Sequence, residues 1–86
     1  MNSLLLSLEV VAAAADGPVS ASDLCERFGV SVPTLKRAIA EARHLGADVY
    51  SLRAGAGWGY VLGNEPAVRA RLARWLDLER SRSLVG

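Results

Sequence analysis

Residues 21–40 constrain the fold more than any other stretch of this 86-residue chain. Leu24, Cys25 and Phe28 recur at helical spacing and then stop at Gly29. Glycine reaches positive φ without a Cβ clash, so Gly29 ends a short helix and turns the chain. Val30 follows as an apolar plug, and Ser31 is a residue type that caps helix N-termini. Pro33 falls in the first turn of the next helix, where a missing N–H costs little. From there Leu35, Ala38, Ile39, Ala42 and Leu45 return at 100° steps. Two helices are expected, at about 21–28 and 32–44. They cross steeply, with the small Cys25 at the contact and Leu24, Val30, Leu35 and Ile39 locking the pair. That is the spacing of a helix-turn-helix.

The second helix divides into two faces. Opposite the apolar face lie Pro33, Lys36, Arg37, Ala40 and His44, with Arg43 beside them. A helix that turns two basic side chains and small neighbours outward fits the roughly 12 Å wide major groove of DNA. Arg37 can bond a guanine edge bidentately, while Ser31, Val32 and Thr34 lie at the end where phosphates and base edges come within reach. An ordinary helical hairpin with solvated charges would share the basic pair, but not the whole pattern over these 20 residues.

The flanking segments fill out the fold. Helix 1 is expected over about 3–15, with Leu4, Leu5, Leu8, Val11, Ala12 and Ala15 on one face and Leu6, Val10 and Ala13 on the other. An apolar pattern on both faces is unusual for a surface helix. Asp16, Gly17 and Pro18 stop it. Val19 reads as a short strand, Ser20 or Ser22 can cap the second helix, and Ser20 with Asp23 resembles a capping box. Residues 49–53 and 58–62 read as two strands around a turn at 54–57. Asn64 is the expected cap of a last helix over 65–81, with the stripe Val68, Leu72, Trp75 and Leu76; residues 83–86 are expected to fray.

The run His44, Leu45, Gly46, Ala47, Asp48, Val49, Tyr50, followed by Gly57, Trp58, Gly59, Tyr60, Val61, Leu62, resembles the N-terminal winged-helix domain of biotin repressors and related bacterial regulators. The resemblance covers about residues 4–62. It implies a mainly α fold with a small β-hairpin (α+β), a winged helix-turn-helix with a three-helix core and a two-stranded wing; the last helix read above is then an extra C-terminal helix beyond it. Two departures matter. Family members often carry a basic residue between the wing glycines, whereas Arg53 is the charge nearest this tip. The ligase domain of biotin repressors has no counterpart among these residues, so no biotin chemistry is implied. Tyr50 and Tyr60 read best as packing between wing and helices. Trp58 is open to two readings, packing or contact with DNA or a partner.

Charge supports the same division. Residues 1–30 carry Glu9, Asp16, Asp23 and Glu26 against Arg27, a net of −3. Residues 31–62 carry Lys36, Arg37, Arg43 and Arg53 against Glu41 and Asp48, a net of +2, and residues 63–86 are again +2, five arginines against Glu65, Asp77 and Glu79. A basic patch on part of a small domain is the electrostatic footprint of phosphate binding. Cys25 is the single cysteine, so no disulfide within the chain and no zinc site built on cysteines is expected. His44, the single histidine, has no catalytic partner placed by any motif, and the glycines at 55–59 lie between strands rather than opening a helix as a nucleotide fingerprint requires. No enzyme, cofactor, metal or small-molecule ligand is expected. The apolar run at 4–15 contains Glu9 and is shorter than the roughly 20 residues of a membrane span, so the expectation is a cytoplasmic protein without a signal peptide.

The expected organisation is a DNA-binding domain over 1–62 and a C-terminal helix and tail over 63–86. That tail either packs on the same domain or joins a homodimer interface built from Leu6, Val10, Leu72, Trp75 and Leu76. Arg69, Arg71 and Arg74 could also touch phosphates. The function expected is a transcriptional regulator, a bacterial or phage repressor, reading double-stranded DNA as a dimer through Ser31, Val32, Pro33, Thr34, Lys36, Arg37, Ala40, Arg43, His44, Arg53 and Trp58. Two other classes share the fold: a winged-helix adapter that binds a protein, which would show an apolar or acidic recognition face, and a DNA-bending accessory factor of the excisionase kind.

Overall fold

A computed structural model describes residues 2–55 and 57–85. The order of elements is α1 (Ser3–Ala15), α2 (Ala21–Phe28), α3 (Val32–His44), β1 (Val49–Ala54), β2 (Gly57–Leu62) and α4 (Pro66–Val85). This is an α+β winged helix-turn-helix. The turn expected over 54–57 includes Ala56, which lies outside the described residues, as does Gly86 of the expected frayed end.

Local chemistry sets the helix ends. Asn2 Oδ1 accepts the Leu5 N–H at the start of α1. Ser20 Oγ accepts the Asp23 N–H at 3.0 Å, the first half of the capping box. Gly29 closes α2 at φ 64° and ψ 39°, the left-handed region, and Val30 N–H donates to Cys25 O at 3.1 Å. Ser31 caps α3 through the Thr34 N–H. Gly46, at φ 99°, turns the chain out of α3 towards the sheet.

The sheet is antiparallel, with Val49 opposite Leu62 and Arg53 opposite Trp58. Val19 adds a third rung on the far side of β2: its N–H donates to Tyr60 O at 3.1 Å, and Tyr60 N–H donates to Val19 O at 2.8 Å. This approach requires a glycine at 59, because a Cβ there would lie 2.9 Å from Pro18 Cβ and 3.1 Å from Val19 N.

α1 is the spine of the core. Leu8, Val10 and Ala14 are at most 1% exposed, and Leu5, Leu6, Val11 and Ala13 are also buried. The two apolar faces have separate uses, since α1 packs against both α3 and α4. Ser7, fully buried, donates to Ser3 O at 3.0 Å or to Glu41 Oε2 at 3.1 Å, which joins α1 to α3.

This packing corrects the expected dimer face. Leu6, Val10, Leu72 and Leu76 are buried within one chain, and Trp75 is half-buried against the same core. The surplus of apolar surface on α1 is covered by α4, so a second copy is not needed to cover it. The last helix also differs from expectation in its ends. It runs to Val85, past the expected stop at 81, and its N-terminus is not capped by the Asn64 side chain. Asn64 Oδ1 instead accepts the Asp48 N–H at 2.7 Å, and Asn64 Nδ2 donates to Gly46 O at 3.1 Å. Pro66 opens the helix, where its lack of an N–H removes one donor that would need a cap.

α4 is tied to the rest by arginines. The Arg69 guanidinium group donates to the carbonyls of Asn64, Ala15 and Leu62. It is therefore a structural clamp rather than a free phosphate ligand. Arg80 pairs with Glu9 of α1, and that carboxylate, bonded to the guanidinium, holds the arginine above its ordinary pKa.

Candidate nucleic-acid interface

α3 buries Leu35, Ala38, Ile39 and Ala42 and exposes Pro33, Lys36, Arg37, Ala40, Arg43 and His44. No acidic side chain stands among those exposed residues. Glu41, the acid within α3, is half-buried and held by Ser7. The small side chains of Pro33 and Ala40 stand one turn to either side of Lys36 and Arg37. Val32 is 46% exposed at its N-terminal end. A rod-like polyanion can approach such a surface closely, because the small side chains do not hold it off and the charges are all of one sign.

The ends of the basic side chains are partly organised. Arg37 Nη2 donates to Thr34 Oγ1 at 3.2 Å, and Ser31 Oγ donates to the same oxygen at 3.0 Å. This chain of contacts holds the Arg37 fork over the first turn of α3 and leaves its other N–H groups outward. Arg43 is exposed and also fastens α3 to the start of β1, since its Nε donates to Val49 O at 3.0 Å. Lys36 makes no such contact among the described residues and is exposed.

The wing continues this surface. Residues opposite one another on an antiparallel ladder share a face, and faces alternate along each strand. Val49, Ser51 and Arg53 therefore share a face with Leu62, Tyr60 and Trp58. At the root of that face Val49 and Leu62 are in the core. In its middle, Tyr60 lines a small hollow with Lys36, Ile39 and Arg43. At its tip Arg53 lies over the Trp58 ring, 5.7 Å from its centroid, with Trp58 59% exposed. The outer face of α3 and this face of the wing thus border one concave surface, with Ser51 and Tyr60 between the two. Tyr60 was expected to pack between wing and helices, and it does; Ser51 did not stand out in the sequence, since nothing local marks a serine as lining a groove, but strand parity counted from the buried Val49 would have found it.

Of the expected site residues, Ser31, Val32, Pro33, Lys36, Arg37, Ala40, Arg43, His44, Arg53 and Trp58 are exposed, and Thr34 is half-buried. Trp58 is not part of the core. Tyr60 is half-buried against the core, whereas Tyr50 is 43% exposed on the opposite face of the wing. Cys25 is free and half-buried. Among the described residues no three His, Cys, Asp or Glu side chains are grouped to hold a metal ion, and no helix is long and apolar enough to cross a membrane.

A family model described as an HTH domain matches residues 10–61, more than half of the chain and the whole stretch from mid-α1 to the end of the wing. No curated protein and no solved structure matches. The chain belongs to the helix-turn-helix family of DNA-binding domains found in bacterial regulators, biotin repressors among them.

Proposed function

We propose that the protein is a sequence-specific regulator of transcription that binds double-stranded DNA, with α3 in the major groove and the tip of the wing over the neighbouring backbone. The observation that carries this is the exposed face of α3, basic, free of acids and bordered by Arg53 and Trp58 on the same concave side. Arg37, held over the first helical turn, reads a base edge. Lys36 is placed to neutralise a phosphate, and Arg43 does so with the part of its guanidinium not engaged by Val49. The Trp58 ring, backed by Arg53, meets sugar and phosphate at the wing. Without a need for further chemistry, such a protein represses by occupying its site. One recognition helix reads only a few base pairs, too few to stand out in a genome, so two copies on a two-fold site are proposed.

Selection of binding sites from random duplex DNA tests this. The expected result is an enriched motif with two-fold symmetry. Affinity should fall with salt, and Lys36→Ala should lower the slope of log K against log salt by about 0.9, the effect of one phosphate contact. Failure to enrich any motif, with no salt-dependent binding to duplex DNA, would overturn the reading in favour of an adapter that binds protein.

A further inference from the structure

α4 has two faces, and only one is used. Leu72, Leu76 and Glu79 are buried, while Ala67, Ala70, Arg74, Asp77, Ser81 and Leu84 are all exposed. These six follow one another at intervals of three, four, three, four and three residues, the spacing of a coiled-coil seam. We propose that this seam is the contact through which two copies of the chain pair, their α4 helices antiparallel. The proposal supplies the missing interface of the two-copy reading above.

The order of residues along the seam is what selects a second copy. In an antiparallel pair the first position faces the partner's last. Ala67 then lies opposite the partner's Leu84, Ala70 opposite the partner's Ser81, and Arg74 opposite the partner's Asp77; the two-fold axis repeats each layer. A large side chain meets a small one at the ends, two small ones meet further in, and opposite charges meet at the centre. A parallel pair would set Arg74 against itself and Asp77 against itself, so the charges favour the antiparallel arrangement.

Two features of the single chain agree with this. Arg74, Asp77, Leu78 and Ser81 line a shallow hollow on the outer side of α4. Positions i, i+3, i+4 and i+7 are the four corners of the socket that receives a side chain in knobs-into-holes packing. At that level the antiparallel partner presents Arg74, whose guanidinium would enter beside Asp77. Second, among the described residues the ion pairs of α4 are Arg80 with Glu9 and Arg82 with Glu79, which leave Arg74 and Asp77 unpaired within the chain. One helix about 30 Å long on each side is a small interface, so the free dimer forms only at high protein concentration and is reinforced when two half-sites hold both copies.

Sedimentation of the protein without DNA, at low salt and from low to high micromolar concentration, tests the proposal. The mass should rise towards twice that of the chain. Arg74→Asp and Asp77→Arg should each remain monomeric, because each sets like charges together. An equimolar mixture of these two variants should recover a dimer, since every central layer then joins opposite charges. Both side chains are exposed, so the melting temperature of dilute protein should not change. A parent that stays monomeric throughout, variants that dimerise as well as the parent, or a mixture that stays monomeric would overturn the proposal. Binding of the monomeric variants to a single half-site keeps the two readings apart: it should persist if α3 reads DNA, whatever becomes of the α4 contact.

Discussion

α3 and α4 are built on the same plan and end in different surroundings. Each has an apolar face that packs on α1 and a solvent face that carries charge. The solvent face of α3 holds Lys36, Arg37, Arg43 and His44 without an acid. That of α4 holds Arg71, Arg74 and Arg82 interleaved with Asp77. The difference lies in sign pattern and not in amphipathicity. A face of one sign repels its own copy and attracts a polyanion, whereas a face with an arginine and an aspartate at its centre, as at Arg74 and Asp77, can pair with itself there. Amphipathic spacing alone therefore tells which side of a helix is buried, and the arrangement of charge on the other side tells what it can meet.

The largest effect expected is on the buried sides. Leu35→Ala removes a side chain with no exposed surface from the junction of α3 with the core, and should cost about 2–5 kcal/mol by thermal or denaturant unfolding. Leu84→Ala, on the outer side of α4, should leave the unfolding of dilute protein unchanged while weakening self-association. Equal losses of stability in the two variants would erase the distinction between the helices.

Arg37→Ala should cost about 1–3 kcal/mol on the selected site and relax preference at one base pair. Arg74→Ala should leave binding to a single half-site as it was. If Arg37→Ala weakens every sequence alike, the arginine holds a phosphate and another residue of α3 reads the base.

Gly29→Ala tests the turn that presents α3. A Cβ there meets no atom within 4 Å, so the penalty is that of the left-handed backbone alone, about 1–2 kcal/mol. A melting temperature equal to the parent's would show that the turn adapts to a side chain.

The smallest effect concerns the link between α3 and α4. Asn64→Ala deletes the bonds to Asp48 N–H and Gly46 O and should cost about 1 kcal/mol, measured by unfolding. Faster amide exchange at Asp48 should accompany it.

What the sequence displayed and what it concealed follow a physical line. Gly29, Ser31 and Gly46 act on neighbours within a few residues, so their roles were legible from spacing, which also narrowed the cap of α2 to Ser20 or Ser22. Asn64 was misread because a helix cap and a long-range tie use the same side-chain atoms, and the tie to residues 16 and 18 positions away wins. The two apolar faces of α1 were visible, but not what covers them: a second copy and a later helix of the same chain leave the same pattern in residues 3–15. The basic face of α3 was legible as a helical stripe. The bond of Arg43 to Val49 O, by contrast, was not legible, because it depends on how closely β1 returns past the end of α3.

Arg69 has a mechanical consequence. Its one guanidinium group holds the last carbonyls of α1 and β2 and that of Asn64 in the loop that precedes α4. The root of the wing, the end of α1 and the approach to α4 are therefore fastened at a single point, like three beams on one bolt. Loss of that one side chain would free three carbonyls at once, so its cost should exceed that of any one hydrogen bond.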